Sequence, residues 1–288
     1  MNHSQVVESR SAVPGSTVAS AVAREERIAI IGMGAMGCRV VSSLRAGPFG
    51  AIAIAGLDPH ANADDLKRDL GVELFSSVGD LLQWHPTVVV ECAGHVAVEG
   101  IVSQCLEHGV DAIVASVGAL SSEALRERLH RAQEVGHSEL TVVSGAIGGL
   151  DALSAARGSG IDSVRYIGRK PPRAWVGSPA EGQFDLAAIT EPTVIFEGTA
   201  SESARLYPKN ANVTAAVALA GVGFEKTLVT MMADPRVDKN VHEVEATGPF
   251  GRLCIRLENN PLPDNPRTSW LAALSIEDAI LRRLQHVI

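Results

Sequence analysis

A glycine-rich turn between a short apolar run and an amphipathic segment constrains the fold of this chain more than any other feature. The segment "RIAIIGMGAMGCRVVSSLRAG" (residues 27–47) places the pattern GxGxxG at Gly32, Gly34 and Gly37, directly after a β-branched run. Glycines at these positions allow a tight turn, a close approach of the backbone to a pyrophosphate, and close packing of a helix on a strand. The pattern therefore predicts a strand, a turn and a helix that together bind a dinucleotide.

The residues that follow strengthen this interpretation, which the glycine pattern alone supports only weakly. Ala35 and Met36 open the predicted helix, whose N-terminal N–H groups and partial positive charge suit phosphates. Asp58 ends the next apolar run, 21 positions after Gly37 (58 − 37), close to the offset of about 20 for an acid that binds the adenosine ribose. Because such an acid repels a 2′-phosphate, NAD is predicted as the cofactor, with NADP as the alternative. Asp58 is also suited simply to starting the "DPHAN" turn.

Four more apolar runs follow at intervals that leave room for helices. They are "AIAIAGLD" (51–58), "TVVVECAG" (87–94), "DAIVASVG" (111–118) and "LTVVSGAIGG" (140–149). Runs this apolar suit parallel strands that are covered on both faces rather than half-exposed antiparallel strands. We therefore predict an α/β fold in which residues 27–145 form a Rossmann-type, doubly wound parallel sheet. Residues 1–26 are expected to form a disordered tail.

After residue 149 the pattern changes to strands joined by turns, with one Ala/Val-rich helix from Asn212 to about Gly221. This is typical of an α+β unit with a mostly antiparallel sheet, and we assign residues 146–262 to such a substrate domain. The last segment, residues 263–288, has helical periodicity, with Thr268 or Ser269 as its N-cap. We expect this helix to pack back on the dinucleotide-binding domain.

Charge and cysteine content argue against several classes of function. The 33 acidic and 25 basic residues give a net charge of −8 with no Lys/Arg-rich run, which disfavours nucleic-acid and membrane partners. No apolar segment has the length of a signal-peptide core or of a membrane span. The four cysteines show no CxxC or Cys/His spacing, so neither a disulfide framework nor a metal site is indicated. We expect a soluble, cytoplasmic protein that acts on a small molecule.

A dinucleotide site beside a second domain suggests hydride transfer, in which the second domain holds a substrate carbon and manages one proton. His242, in "DKNVHEVEATGPFG" (238–251), is a candidate for the proton step because imidazole titrates near neutral pH. A lone histidine of this kind is more often structural than catalytic, so its position alone does not decide. A thiol nucleophile at Cys92, with His95 as its base, is a second hypothesis that no other block of the sequence supports.

Four further blocks of sequence carry a family resemblance. They are "SGAIGGLDAL" (144–153), "YPKNANVTAAVALAGVGF" (207–224), "ADPRVDKNVHEVEATGPFG" (233–251) and "NPRTSWLAALS" (265–275). Together with the GMGAMG turn they resemble the successive blocks of the L-aspartate dehydrogenase family, over nearly the whole chain beyond the N-terminal tail. The resemblance implies that Ala146 and Asn212 bind NAD(P) and that His242 is the active-site histidine. Asn212 also suits the N-cap of the Ala/Val-rich helix, and the two roles are compatible.

The resemblance implies oxidative deamination of L-aspartate to oxaloacetate and ammonia through iminoaspartate, with NAD(P)⁺ reduced, and the reverse amination. The substrate amine must lose a proton before hydride leaves, and water must then add to the imine, so we expect His242 to act as general acid and base. Lys170, Lys209 and Thr199 are candidates for binding the two substrate carboxylates, although each lysine suits a solvated surface equally well. A homodimer is expected by analogy with similar enzymes.

Two alternatives to this function stay open at the level of sequence. A two-domain dehydrogenase similar to homoserine dehydrogenase, acting on another aspartate-derived substrate, would share the cofactor domain. A non-catalytic NAD-binding redox regulator would share the glycine-rich turn without turning over a substrate.

Overall fold

The parallel sheet occupies the first half of the chain. In the computed structural model, which describes residues 26–48, 50–262 and 265–285, this sheet has six strands. They are β1 (Arg27–Ile31), β2 (Ala53–Leu57), β3 (Glu73–Phe75), β4 (Val88–Glu91), β5 (Asp111–Val114) and β6 (Leu140–Val142). Their order is β3-β2-β1-β4-β5-β6, and all neighbouring pairs are parallel. This is the strand order of a Rossmann-type doubly wound sheet and confirms the predicted fold class.

Strand β1 shows why the apolar runs contain so few polar residues. Ile28 and Ile30 belong to the apolar cluster on one face of the sheet, whereas Ala29 and Ile31 belong to the cluster on the other face. All four side chains are buried. Because both faces are covered, neither set of alternating side chains meets water.

Helices and helical turns connect these strands. The α-helices are α1 (Ala35–Ala46), α2 (Ala63–Leu70), α3 (Val78–Gln83), α4 (His95–Ala97), α5 (Ser103–Glu107) and α6 (Glu123–Gly136). A π-helical segment, Val98–Val102, joins α4 to α5, and a 3₁₀ turn, Val117–Ser121, follows β5. The side chains of Asn62, Ser77 and Ser122 accept hydrogen bonds from backbone N–H groups at the starts of α2, α3 and α6. These caps satisfy donors that have no partner within the helix.

One strand of this sheet is absent from the sequence analysis, which counted five apolar runs. Strand β3 has three residues, lies at the edge of the sheet and begins with the exposed Glu73. An edge strand of this length buries little apolar surface, so it produces no apolar run. The number of strands is therefore corrected from five to six.

The second half of the chain forms a mixed sheet of five strands. They are β7 (Ser163–Lys170), β8 (Thr193–Thr199), β9 (Thr227–Ala233), β10 (Asn240–Gly248) and β11 (Gly251–Asn259), in the order β11-β10-β7-β9-β8. The pair β7–β9 is parallel and the other three pairs are antiparallel, which confirms a mostly antiparallel sheet. One face carries buried side chains such as Tyr166 and Val244, while Arg165 and Glu245 on the opposite face are exposed.

Helices cover the buried face of this second sheet. They are α7 (Leu150–Ala156), α8 (Ala200–Leu206) and α9 (Ala211–Ala220). The same half of the chain contains the 3₁₀ turns Arg157–Ser159, Pro172–Trp175, Pro179–Gly182, Leu186–Ala188 and Pro208–Asn210. Helix α9 is the Ala/Val-rich helix predicted from Asn212 to about Gly221, and it begins one residue earlier. It packs on the 3₁₀ turn after β5, and one apolar cluster contains Val89, Val217 and Val244. The two sheets therefore share a continuous core.

The C-terminal segment begins as a strand and ends as a helix. Strands β12 (Pro261–Leu262) and β13 (Asn265–Ser269) pair antiparallel before helix α10 (Trp270–Gln285). Helix α10 packs on α1. Ile276 and Ile280 belong to the same apolar cluster as Val40 and Val41 of α1, and Ser43 Oγ donates a hydrogen bond to Glu277 Oε2 at 2.7 Å. The proposed capping by Ser269 is corrected, because its buried hydroxyl has no hydrogen-bond partner among the described residues.

Three expectations about the chain as a whole have different outcomes. Residues 1–25 lie outside the described residues, so the disordered tail stays a prediction. The domain limits at residues 145 and 262 also stay predictions. Within the three described ranges, no helix is long and apolar enough to cross a membrane, and no group of three or more His, Cys, Asp or Glu side chains is placed to hold a metal ion.

Candidate active site

A cavity of about 440 Å³ lies between the carboxyl edge of the parallel sheet and the buried face of the second sheet. It is lined by the glycine-rich turn, the loops after β4, β5 and β6, three strands of the second sheet and the starts of α9 and α10. The sequence-predicted residues that it brings together are Gly34, Ala35, Met36, Ala146, Lys170, Asn212 and His242. Ligands of doubly wound folds bind at this edge of the sheet.

The three glycines of the turn have different surroundings. Gly32 has φ +90°, and a Cβ built on it would lie 2.6 Å from the Cβ of Ala93. A Cβ on Gly37 would lie 2.1 Å from the carbonyl oxygen of Gly32. Gly34 has no atom within 4 Å of such a Cβ, and it lines the cavity. The first and third glycines are thus required by packing, whereas the second leaves open space at the N-terminus of α1.

Asp58 follows β2 and is bonded to the glycine-rich turn. Its Oδ2 accepts a hydrogen bond from Met33 N at 2.9 Å, and its Oδ1 accepts one from His60 N at 2.9 Å. The carboxylate therefore does start the "DPHAN" turn, which was one of the two interpretations of this residue. It does not line the cavity itself, and neither do Gly32 and Gly37.

A fully buried carboxylate, which the sequence analysis did not identify, organises the loops beside the turn. Glu91 ends β4, and its Oε1 accepts hydrogen bonds from Ala93 N (2.8 Å), Gly94 N (2.6 Å) and Ser116 Oγ (2.9 Å). Its Oε2 accepts from Ser116 N at 2.9 Å. These bonds tie the loop after β4 to the loop after β5. The sequence did contain a signal for this role, because an acid at the end of a buried strand needs hydrogen-bond partners to offset the cost of burying its charge.

Ala146 and Asn212 both line the cavity. The carbonyl oxygen of Ala146, in the loop after β6, accepts a hydrogen bond from Asn259 Nδ2 at 2.7 Å. Asn212 Oδ1 accepts from Gly118 N at 2.9 Å, across the contact between α9 and the 3₁₀ turn after β5. Asn212 is the second residue of α9 and does not cap it, because the N-cap position belongs to Asn210.

His242 is the third residue of β10 and is 5% exposed. It lies directly opposite Gly168 in the β7–β10 register, and its Nδ1 is 2.8 Å from the hydroxyl oxygen of Tyr166. Burial, followed by the positive charge of Lys170, lowers the pKa of His242 to about 4. The imidazole is therefore neutral at neutral pH, the form in which it can accept a proton.

Lys170 ends β7 on the same face of the strand as Tyr166 and Gly168, because alternate residues of a strand share a face. Its Nζ donates a hydrogen bond to Asn210 Oδ1 and lies 5.4 Å from the centroid of the Trp175 ring. Burial lowers the pKa of Lys170 to about 8. The ammonium group thus lines the same cavity as the imidazole and is held by an amide and an aromatic ring.

Comparison with known proteins identifies the family. Residues 151–283 match the family model described as "Aspartate dehydrogenase, C-terminal", and residues 32–142 match the model "Homoserine dehydrogenase, NAD binding domain". The chain is 45% identical to an L-aspartate dehydrogenase of Ralstonia pickettii over 262 residues, which is 90% of this chain and 98% of that protein. It belongs to the L-aspartate dehydrogenase family.

A second relative and a solved structure agree with this assignment. An L-aspartate dehydrogenase of Methanosarcina mazei is 38% identical over 91% of this chain and 98% of its own length. The crystal structure of an aspartate dehydrogenase from Thermotoga maritima is 30% identical and has a TM-score of 0.70, covering 91% of this chain and 96% of the other. An amine dehydrogenase from Mycobacterium smegmatis, at 16% identity and a TM-score of 0.53, shares the fold alone.

Of the other two carboxylate-binding candidates, Thr199 is not brought into the site, and the role of Lys209 stays a prediction. Thr199 forms a capping box at the start of α8: its Oγ1 accepts from Glu202 N at 3.2 Å, and its own N–H donates to Glu202 Oε2 at 2.8 Å. It does not line the cavity. Lys209 lies in the 3₁₀ turn Pro208–Asn210, but its side chain is outside the described part of the chain.

Cys92 lines the cavity, yet its surroundings disfavour a thiolate. Burial, followed by the charge of Glu91, raises the pKa of the Cys92 thiol. The imidazole of His95, the proposed base, lies beside Gly118: a Cβ built on Gly118 would be 2.6 Å from His95 Nε2. The thiol stays protonated at neutral pH, so the hypothesis of a thiol nucleophile loses support in this member of the family.

Several polar residues line the cavity without having been predicted. They are Tyr166, Asn210, Asn240, Thr268 and Ser269. Ser269 is 6% exposed and stands just before α10. The alternation in "SVRYIGRK" contained the signal for Tyr166, because residue 166 must share a strand face with residue 170. Nothing in the periodicity showed that β13 and the start of α10 would reach the cavity.

Proposed function

We propose that this protein catalyses the reversible oxidative deamination of L-aspartate to oxaloacetate and ammonia, through iminoaspartate, with NAD(P)⁺ as the hydride acceptor. The observation that carries the proposal is that neutral His242 and the partly buried ammonium of Lys170 share one cavity with the glycine-rich turn. Membership of the L-aspartate dehydrogenase family supports the same activity.

The glycine-rich turn suits a dinucleotide because it offers open space and free backbone N–H donors for the phosphates. Gly34 leaves room beside the first turn of α1, where Ala35 and Met36 line the cavity and helical N–H groups lack acceptors within the helix. Ala146 and Asn212, which line the same cavity, are assigned to the nicotinamide end. When bound, the nicotinamide ring supplies the acceptor for the hydride that leaves the substrate α-carbon.

Asp58 is assigned to the adenosine ribose, with NAD favoured over NADP. Each of its carboxylate oxygens accepts one backbone hydrogen bond, which leaves further lone pairs for ribose hydroxyl groups. Its negative charge at the end of β2 would repel a 2′-phosphate. The two backbone bonds hold that charge in place, so positioning it requires no ligand.

His242 is assigned to the proton steps. The neutral imidazole accepts a proton from the α-ammonium group, so that the amine can supply its lone pair, and releases that proton to solvent once the hydride has left. It then accepts a proton from the water that adds to the iminoaspartate carbon and gives it to the nitrogen that leaves as ammonia. In the amination direction the same group returns the proton. Burial makes the imidazole a weak base on its own, so a bound dicarboxylate, whose negative charge favours the imidazolium, strengthens it at the moment of reaction.

Lys170 is assigned to one carboxylate of the substrate. Among the described side chains that line the cavity, it is the one cationic group, and Asn210 and Trp175 fix its position. Asn240 and Ser269 add uncharged groups that can donate hydrogen bonds, and Ser269 has a buried hydroxyl without a partner in the described chain. An unsatisfied buried hydroxyl favours a polar ligand at that place.

The test is turnover with matched omissions. Purified protein should oxidise NADH in the presence of oxaloacetate and ammonium, and should show no oxidation when ammonium is left out. Activity with homoserine but not with aspartate would support the homoserine-dehydrogenase-like alternative, and NADH binding without any turnover would support the regulator. Neither alternative is favoured, because the aspartate dehydrogenase model covers the substrate-binding half of the chain.

A homodimer in the cytoplasm is part of the proposal. The exposed face of the second sheet, which carries Arg165 and Glu245, offers an extended surface for a two-fold contact. Light scattering on the purified full-length protein should give twice the mass of the 30.2 kDa chain. A mass equal to one chain across the working concentration range would contradict the dimer.

A further inference from the structure

We propose that Tyr166 is a positioning residue for His242, which holds the ring hydrogen at Nδ1 and leaves Nε2 free to take up a proton. The inference rests on the proposed function, since it describes how the same histidine is prepared for its proton steps. It is carried by a hydrogen bond, a ring contact and the absence of a side chain at Gly168.

The sheet register places the two side chains side by side. In the β7–β10 pair, His242 is opposite Gly168 and Tyr166 is opposite Val244, so the tyrosine starts one inward-facing position away from the histidine. Its hydroxyl extends forward along β7, over Gly168, to within 2.8 Å of His242 Nδ1. A Cβ at position 168 would lie 2.7 Å from that hydroxyl oxygen. Glycine is therefore the residue that leaves a path for the hydrogen bond.

Two contacts together fix the orientation of the imidazole. The rings of Tyr166 and His242 have centroids 6.0 Å apart and planes at 21°, and both residues are buried, with 3% and 5% exposure. The hydrogen bond defines which edge of the imidazole faces the tyrosine. The opposite edge carries Nε2, which has no hydrogen-bond partner among the described residues, and His242 lines the cavity.

The chemistry of the pair determines which nitrogen can act. A neutral imidazole accepts a proton at Nε2 only if its hydrogen is at Nδ1, and then a buried Nδ1–H needs an acceptor. The phenol oxygen of Tyr166 provides it, and the same bond persists after Nε2 is protonated. Burial raises the pKa of Tyr166, so the residue stays a phenol throughout. Proton uptake at Nε2 then requires no rearrangement of the ring or of the tyrosine.

The kinetic test compares two tyrosines. Tyr166→Phe should lower kcat for NADH oxidation, with oxaloacetate and ammonium, by about tenfold or more, while KM for NADH changes less than about twofold. Tyr207→Phe is the matched control, because Tyr207 is also buried but lies outside the cavity and its hydroxyl contacts Ile195 O at 3.4 Å. Gly168→Ala should lower kcat in the same direction, since the methyl group displaces the Tyr166 hydroxyl.

A spectroscopic test reports on the tautomer directly and does not need turnover. The ¹⁵N resonances of His242, identified by their loss in His242→Asn, should show a protonated Nδ1 and an unprotonated Nε2 in the wild type at neutral pH. In Tyr166→Phe they should shift toward a mixture of tautomers. An unchanged kcat in Tyr166→Phe, or a wild-type spectrum with the hydrogen on Nε2, would overturn the proposal. Failure of the wild type to turn over aspartate would count against the proposed function, and the ¹⁵N result would still stand.

Discussion

The two sides of the cavity are built from different parts of the chain. On the cofactor side the contributing groups are mainly backbone: the open face of Gly34, the first turn of α1 and the loops that Glu91 ties together. On the substrate side they are side chains that project from strands of the second sheet, namely Tyr166, Lys170 and His242. One side depends on the path of the chain and the other on the identity of individual residues.

This difference has a functional consequence. Backbone donors carry no proton that titrates near neutral pH, so the cofactor side should affect affinity more than chemistry. The side chains of the substrate side include two groups whose pKa values burial has moved, His242 to about 4 and Lys170 to about 8. Such shifts are typical of groups that exchange protons or bind charge. Substitutions on the two sides should therefore separate cofactor binding from turnover.

The largest effect is expected at His242. His242→Asn should lower turnover by about 10²-fold or more with little change in the dissociation constant of NADH, because the substitution removes the proton acceptor and leaves the glycine-rich turn intact. Stopped-flow or steady-state NADH oxidation measures the first quantity, and fluorescence titration the second. His130→Asn, at an exposed position on α6, is the control. Full turnover in His242→Asn would remove this residue from the mechanism.

His242 should also make stability depend on pH. Its pKa is about 4 in the folded protein, below the ordinary histidine value of 6.5, so between these values the unfolded chain binds a proton that the folded protein does not. The contribution of His242 to the free energy of unfolding is therefore fully present above about pH 6.5. It is lost as the pH is lowered toward 4, by up to about 3 kcal/mol. Denaturant titrations at several pH values give the free energy of unfolding of the wild type and of His242→Asn. Between pH 4 and 6.5 this free energy should depend more steeply on pH in the wild type than in the variant. Parallel pH profiles would show that the histidine is not buried in its neutral form.

Lys170 should control substrate affinity in a pH-dependent way. Lys170→Met should raise KM for oxaloacetate by about tenfold or more, since a charge-assisted hydrogen bond to a carboxylate is lost. In the wild type, KM for oxaloacetate should rise above about pH 8, where the ammonium group loses its proton, while KM for NADH stays level. Lys226→Met, at an exposed position, is the control. An equal rise in both KM values would place Lys170 outside the substrate site.

On the cofactor side, two glycines should give opposite results. Gly34→Ala should weaken NADH binding by about tenfold with an unchanged melting temperature, because its methyl group enters open space that a phosphate needs. Gly32→Ala should instead destabilise the fold by about 2 kcal/mol or more, since φ is +90° and the new Cβ meets Ala93. Thermal unfolding and NADH titration of both variants separate the effects. A loss of stability in Gly34→Ala without a loss of affinity would reverse the assignment.

The sequence predicted the parts of the molecule that follow from local pattern. The five main strands of the parallel sheet were found because residues such as Ile28 and Ala29 are apolar on both faces. The same criterion missed β3, which buries too little. Among the side chains of the cavity, His242 and Lys170 were candidates from sequence, whereas Tyr166 and Ser269 were not. Their importance depends on contacts across strands and on where the C-terminal segment packs, and neither is visible in local periodicity.

The smallest expected effect, at Asp58, tests whether the cofactor side also contains one decisive side chain. Asp58→Asn keeps the shape of the side chain and one acceptor oxygen for Met33 N or His60 N, but it removes the negative charge. The kcat/KM for NADP(H) should therefore rise several-fold relative to that for NAD(H). The ratio of kcat/KM for the two cofactors measures this, and Asp64→Asn in the exposed first turn of α2 is the control. If the ratio does not move, Asp58 only shapes the turn. The adenosine end of the cofactor side would then depend on backbone groups alone, and its contrast with the substrate side would be sharper still.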